Sequence, residues 1–173
     1  NRGDIIGASD AIRIADSSSN PSGGGTITID NSGRIISNAL TSAGLALQRQ
    51  QAIEMGVAAG TLDIINRDSA VIEGPYGIQS NASVTTIVNA GRIAAVGTSE
   101  IQGEAVRTSL TSSQPDRNPV LHLTNEASGV IVGGYGVTAL GDTTIVNRGT
   151  IMGDSDNPVS HSRTAIRVIN NFE

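Results

Sequence analysis

Apolar and polar residues alternate along short segments of this chain, and the segments recur with Asn, Gly or Ser between them. The phrase TTIVNAGRI at residues 85–93 returns as TTIVNRGTI at residues 143–151. A looser form, Asn-x-Gly-x-Ile, occurs four times, and two longer forms, NRDSAVI and NEASGVI, carry two extra residues each. The six copies begin at Asn1, Asn31, Asn66, Asn89, Asn125 and Asn147. Self-similarity at a spacing of roughly 20 to 50 residues indicates a repeat architecture.

Each copy is flanked by further apolar segments. Aliphatic residues stand two, and often four, positions before the asparagine, as Leu62 and Ile64 do before Asn66. A small residue and then an aliphatic residue follow each copy. We assign these pairs to Ala11-Ile12, Gly44-Leu45, Gly77-Ile78, Ala105-Val106, Gly136-Val137 and Ala165-Ile166. Alternation with a period of two is typical of strands with one buried face.

Three short strands in as few as 22 residues leave no room for helical crossovers between them. The pattern therefore predicts an all-β fold, a right-handed parallel β-helix with about six three-strand coils. We expect residues 1–173 to form a single β-helix segment of a longer repetitive protein. One reason is that the final FE followed by the initial NRGDI would imitate IDNSGRI at 29–35, which also suits copies placed end to end.

The asparagine of each copy has a predicted structural role. Alternation with the two preceding aliphatic residues points it inward, at the corner between two strands. Its amide can there bond backbone groups and the equivalent asparagine one coil away. The glycine two residues later supplies the backbone freedom for the bend. We therefore expect the six asparagines to form a ladder that supports the fold and holds no ligand.

Insertions between the strands are expected to form loops that protrude from the solenoid. Three are predicted after the third strand of a coil, at 17–25, around 48–60 and at 109–119, and hence at one edge. Two others, at 98–104 and 153–163, fall between the second and third strands. Residues 46–57 are rich in helix formers, so we expect one short helix on the flank. Loops grouped on one edge of a solenoid are a usual place for binding.

Composition excludes several classes of function. The net charge of −5 argues against a nucleic-acid surface, since such surfaces need clustered positive charge. The absence of cysteine excludes disulfides and thiolate metal sites, and we expect no cofactor and no metal. No apolar run approaches the roughly 18 residues of a membrane span, so we expect no direct membrane insertion.

The six phrases with their trailing aliphatic pairs resemble the passenger domains of bacterial autotransporters and related β-helix adhesins. The resemblance covers essentially the whole chain. It implies an extracellular stalk or adhesin at the bacterial cell surface, exported through a C-terminal outer-membrane barrel. It also implies a host-surface or matrix glycan or protein as the partner, besides neighbouring coils of the same long chain or end-to-end copies.

Tyr76 and Tyr135 are the candidate glycan contacts. They occupy equivalent places in GPYG and GGYG, two coils apart, which corresponds to roughly 10 Å between them. The alternative is that both tyrosines pack against or cover a turn. Arg13, Arg107 and Arg167 also point outward after the third-strand aliphatic residue, but Ala46, Gln79 and Thr138 interrupt that column.

Other chemically interesting residues give no recognisable site. Asp154 and Asp156 are too few ligands for a calcium site. His122 and His161 lie far apart without a triad or zinc pattern. The tripeptide Arg2-Gly3-Asp4 occupies the same tight corner as the other Asn-x-Gly phrases, which favours a structural reading.

The absence of a catalytic cluster in the sequence predicts a non-enzymatic structural or adhesive module that spaces or presents a binding surface. The alternative is a β-helix that binds or cleaves polysaccharides, or a segment of a phage-type tailspike. Cleavage needs two acid–base groups held a few ångströms apart, and no such pair is apparent on neighbouring coils.

Overall fold

The computed structural model describes residues 1–15, 25–38, 50–56, 60–96, 103–109, 118–153 and 164–169. These residues form seventeen β-strands, and no helix occurs among them. The strands stack as three parallel sheets, which we call sheets A, B and C.

Sheet A contains, in stacking order, β1 (Asp4–Gly7), β4 (Arg34–Ser37), β7 (Val71–Gly74), β10 (Arg92–Ala95), β13 (Val130–Gly133) and β16 (Thr150–Gly153). Sheet B contains β2 (Ile12–Ile14), β5 (Gln51–Met55), β8 (Tyr76–Ser80), β11 (Glu104–Thr108), β14 (Tyr135–Leu140) and β17 (Thr164–Ile169). Sheet C contains β3 (Thr26–Asn31), β6 (Thr61–Asn66), β9 (Val84–Asn89), β12 (Val120–Asn125) and β15 (Asp142–Asn147). The chain visits sheets C, A and B in turn, and each round makes one coil. The predicted parallel β-helix with three strands per coil is thereby confirmed.

The core is a set of aliphatic columns that run along the axis of the solenoid. In sheet A, Ile35 pairs with Ile72, which pairs with Ile93, which in turn pairs with Ile131. All four side chains are completely buried. Sheet C adds a matching column through Ile64, Ile87 and Leu123, and sheet B another through Ile53, Ile78, Val106 and Val137. Because equivalent residues stack at every coil, aliphatic side chains fill the interior of the described coils without aromatic ones.

The second coil differs from the sequence prediction. The strand of sheet B in this coil is β5, and the small–aliphatic pair in the register of Ile12 and Ile78 is Ala52-Ile53. Gly44 and Leu45, to which we assigned that role, lie outside the described residues. The assignment was wrong because both pairs fit the pattern, and burial of Ala52, Ile53 and Met55 between two neighbouring strands favours the later one.

Two further expectations change with this correction. The insertion of the second coil precedes β5, between sheets A and B, so it does not share the corner of the insertions around 17–25 and 109–119. The short helix expected over 46–57 is wrong for residues 51–55, which form β5. Pairing with strands on both sides and burial of their apolar face outweigh local helix propensity here. Residues 46–49 and 57 lie outside the described part of the chain.

Candidate functional site

The six asparagines at the corner between sheets C and A stand in one column. Each of the first five donates a side-chain hydrogen bond from its Nδ2 to the Oδ1 of the next. The five distances are 2.9 Å from Asn1 to Asn31, 2.9 Å from Asn31 to Asn66, 2.8 Å from Asn66 to Asn89, 2.8 Å from Asn89 to Asn125 and 2.9 Å from Asn125 to Asn147. All five bonds run in the same direction, so each amide donates toward the sixth coil and the ladder has a direction along the axis.

The second hydrogen of these amides bonds the turn that follows. Asn89 Nδ2 donates to the carbonyl of Gly91 at 3.1 Å, and Asn125 Nδ2 donates to that of Gly129 at 3.1 Å. Asn31, Asn66, Asn89 and Asn125 are completely buried, whereas Asn1 and Asn147 at the two ends are exposed. The ladder thus gives hydrogen-bond partners to the buried side-chain amides themselves and adds a second donor to the carbonyls of Gly91 and Gly129, which also accept from the N–H groups of Val130 and Thr150. This is a structural task.

Ion pairs line the outer side of the same corner. Arg67 donates hydrogen bonds from Nε and Nη2 to the two carboxylate oxygens of Asp30, each at 2.6 Å, between two neighbouring coils. Hydrogen bonding to Arg67 lowers the pKa of the Asp30 carboxyl below its usual value. Arg148 and Glu126 form a second pair at 3.3 Å between the last two coils. Both pairs are exposed, so each adds little stability.

The two longer turns create a notch at this corner. Residues 67–70 and 126–129 each have two more residues than the turn at Ala90-Gly91 between them. The short turn therefore lies recessed between two protruding ones, and the recess has a volume of about 240 Å³. Its polar groups are largely occupied. Ser128 Oγ donates to the carbonyl of Ala90 at 2.7 Å, and Arg92 pairs with Glu73 at 3.6 Å.

The outer face of sheet B carries the richest chemistry among the described residues. One register column on this face contains Arg13, Glu54, Gln79, Arg107, Thr138 and Arg167. Glu54 stands where the sequence reading placed Ala46. A second column contains Gln51, Tyr76, Glu104, Tyr135 and Thr164. The two columns lie three residues apart along each strand.

Tyr76 and Tyr135 do not form an isolated aromatic pair. Glu104 lies on the strand between theirs, opposite Tyr135 in the register, and only 7% of it is exposed. Both tyrosines are themselves half-buried. One face of the Tyr135 ring is occupied, since the guanidinium carbon of Arg167 lies 5.9 Å from the ring centre. Tyr135 therefore positions an arginine and does not offer that face to a sugar ring.

The charges on this face are unevenly compensated. Arg107 Nη1 pairs with Glu104 Oε2 at 2.9 Å, and Arg13 Nε pairs with Glu54 Oε2 at 3.0 Å. Burial raises the pKa of the Glu54 carboxyl, while Arg13 acts in the opposite sense. Arg167 has no carboxylate partner among the described residues. Among the described residues, the positive charge nearest Tyr135 therefore has no carboxylate partner.

Thr138 lies beside that charge. Its register neighbours on the two adjacent strands are Arg107 and Arg167. Only 6% of the residue is exposed, and its Oγ1 has no hydrogen-bond partner. It is the one buried side-chain polar atom in the described residues that is left unpaired. The sequence reading treated Thr138 only as an interruption of an arginine column, and nothing in the sequence reveals that its hydroxyl is unpaired.

The remaining sequence candidates form no site in the described part of the chain. His122 is exposed on the outer face of sheet C. Asp4 pairs with Arg34 at 3.3 Å, and the Gly3 carbonyl accepts from the Arg34 backbone N–H, so Arg2-Gly3-Asp4 lies within a paired corner. Asp154, Asp156 and His161 lie outside the described residues, and no group of three metal-ligating side chains occurs within them.

Comparisons give no relative from which to transfer a role. Within the described ranges, no helix has the length and apolar character needed to cross a membrane. No family model, no curated protein and no solved structure matches this chain.

Proposed function

We propose that the chain is a non-enzymatic β-helix module that acts as a stiff spacer and presents a lateral binding surface. The observation that supports this most is the unbroken series of five asparagine–asparagine hydrogen bonds across all six coils. Each bond couples neighbouring coils through buried groups whose loss is costly. A solenoid coupled at every step bends little, which suits a spacer.

The proposed location is the bacterial cell surface or the extracellular medium, where the chain would form part of an adhesin-like protein. Its support is the likeness of the repeated Asn-x-Gly-x-Ile phrases to autotransporter passengers. The chemistry of the described surface agrees with a spacer. Its carboxylates and guanidiniums are mostly engaged in ion pairs between coils, such as Asp30 with Arg67 and Glu126 with Arg148.

A distance measurement tests the spacer role. The chain has no cysteine, so Ser32→Cys and Arg148→Cys place two unique labels at equivalent turns of the second and sixth coils. Four steps of about 4.8 Å predict a backbone separation of about 19 Å. Pulsed dipolar spectroscopy should give one narrow distance distribution near that value, after allowance for the label arms. A broad or multiple distribution contradicts a stiff spacer.

A separate assay tests the proposal that the protein is not an enzyme. The same protein is incubated with polygalacturonate and with neutral polysaccharides, and the release of reducing or unsaturated ends is followed. We expect no release above a heat-denatured control. Release that is abolished by Glu104→Gln but retained by Glu126→Gln would establish a cleaving enzyme and overturn the proposal.

A further inference from the structure

The hydroxyl of Thr138 is not explained by the fold. Almost every buried polar group in a folded protein has a hydrogen-bond partner, and a group without one is unfavourable. A valine has the same shape and would fill the position without that disadvantage. The neighbouring hydroxyl of Thr108 shows the usual situation, since it accepts from the Leu140 N–H at 3.0 Å. The Thr138 hydroxyl therefore lacks a partner within the described residues, and because its oxygen is buried, a ligand bonds it only when a neighbouring side chain moves aside.

The surroundings of this hydroxyl favour an anion. Thr138 lies between Arg107 and Arg167, each one strand away, or about 4.8 Å in the sheet. Glu104 compensates Arg107, whereas the described residues contain no carboxylate that pairs with Arg167. The Tyr135 ring holds the Arg167 guanidinium over the face of the sheet. A hydroxyl donor next to a positioned, uncompensated guanidinium is a site for a carboxylate or sulfate oxygen.

The rest of the face favours an extended ligand. The same two register columns continue from Thr138 through Gln79 toward Gln51, and these two amides bond each other at 3.0 Å. Polar side chains thus recur at every strand along the axis, at a step comparable to the advance of one sugar residue. Tyr76 lies on the same face, two strands from Tyr135. A small free anion would use only the Thr138 end of this surface.

We infer that Thr138, Arg167 and Tyr135 form the anchoring site for an acidic polysaccharide that lies along the outer face of sheet B. The carboxylate or sulfate of one sugar accepts from Thr138 Oγ1 and from the Arg167 guanidinium. Tyr135 is a positioning residue, because it acts through Arg167. The inference adds a ligand class to the spacer role and does not depend on where the protein works.

Titration calorimetry at low ionic strength tests the site with two matched pairs of polymers. Polygalacturonate is compared with its fully methyl-esterified form, and dextran sulfate with unmodified dextran. We expect at least one acidic polymer to bind more tightly than its neutral counterpart, and the pair that does so identifies the oxyanion as carboxylate or sulfate. Equal or absent binding within both pairs overturns the inference.

Substitutions then locate the site. Thr138→Val and Arg167→Gln should each raise the dissociation constant for the acidic polymer about tenfold or more, because each removes a hydrogen bond to a charged group. Thr138→Ser keeps the hydroxyl and should bind nearly as well as the wild type. Arg148→Gln, at a different corner, should change affinity by no more than about twofold.

The melting temperature of each variant is measured in parallel, so that a loss of binding can be distinguished from a loss of folding. Thr138→Val is expected to melt no lower than the wild type. Acidic polymers that bind Thr138→Val and Arg167→Gln as tightly as the wild type would place the site elsewhere and overturn the assignment. The distance between labelled turns is unaffected by that result, so failure here leaves the spacer proposal to its own test.

Discussion

The side-chain amide of Asn66 donates a hydrogen bond of 2.8 Å to the side-chain oxygen of Asn89, although the two residues are 23 positions apart in the sequence. Both side chains are completely buried. The bond therefore links two coils through their side chains, in addition to the backbone pairing of the same two residues, and it repeats along the whole solenoid.

Removal of an internal asparagine should destabilise the protein more than removal of a terminal one. Asn89→Ala leaves the Asn66 amide and the Asn125 oxygen without their ladder partners inside the core. We expect a loss of about 1–3 kcal/mol in the free energy of unfolding. Asn147→Ala removes a single ladder bond at an exposed position, so its loss should be below about 1 kcal/mol. Denaturant titration of both variants measures the difference, and equal losses would contradict a ladder that depends on burial.

The turn that follows the asparagine leaves no room for a side chain. A Cβ added at Gly91 would lie 2.3 Å from the Ala70 carbonyl oxygen and 2.5 Å from that of Arg67. Gly91→Ala should therefore cost about 1–3 kcal/mol, the usual penalty for overpacking. Gly25→Ala is the matched control, since a Cβ there meets nothing within 4 Å. Thermal melting of the two variants gives the comparison, and a Gly91→Ala protein as stable as the control would refute the close packing of the coils.

Two threonines on adjacent strands of sheet B should respond in opposite directions to the same substitution. The Thr108 hydroxyl bonds the Leu140 backbone, whereas the Thr138 hydroxyl has no partner. Thr108→Val should lower the free energy of unfolding by about 1–2 kcal/mol, because it leaves the Leu140 N–H unpaired. Thr138→Val should leave it unchanged or raise it by up to about 1 kcal/mol. Destabilisation by Thr138→Val would show that the hydroxyl has a structural partner after all.

The Asp30–Arg67 pair predicts a small dependence of stability on acid pH. Arg67 lowers the pKa of Asp30 below its ordinary value of 3.8 in the folded protein. The stabilising contribution is therefore complete above about that pH, and it is lost as the pH falls through the lowered folded-state pKa. Asp30→Asn should reduce the fall in melting temperature between about pH 6 and pH 3. Asp142→Asn, an exposed aspartate without an ion pair in the described structure, serves as the control, and identical pH profiles for both variants would count against the pair.

The sequence contains enough to place most of the solenoid. Because Ile64, Ile87 and Leu123 all stand two positions before an asparagine, aligning the asparagines aligns the core columns as well. The second coil escaped this logic, since Gly44-Leu45 and Ala52-Ile53 both fit a small–aliphatic pair. Only pairing of Ile53 with Ile12 and Ile78 distinguishes them, and that pairing is a three-dimensional relationship.

The candidate site was less accessible from sequence. Alternation places Thr138 and Arg167 on an outer face but does not tell that the threonine is buried or its hydroxyl unpaired. The tyrosines were noticeable because GPYG and GGYG repeat, yet their sequence context conceals that Arg167 covers Tyr135. The notch at Ala90-Gly91 had a signal in the two extra residues of NRDSAVI and NEASGVI, which alternate with shorter phrases.

Hydrogen exchange of the asparagine side chains tests the central claim most directly. In protein labelled with nitrogen-15 asparagine, the side-chain amides of Asn31, Asn66, Asn89 and Asn125 should exchange at least about 100-fold more slowly than that of the exposed Asn118. Asn147, with its exposed side chain at the end of the ladder, should exchange rapidly. If the four internal amides exchange as fast as Asn118, the coils are not joined by a continuous buried ladder, and the proposal of a stiff spacer loses its physical basis.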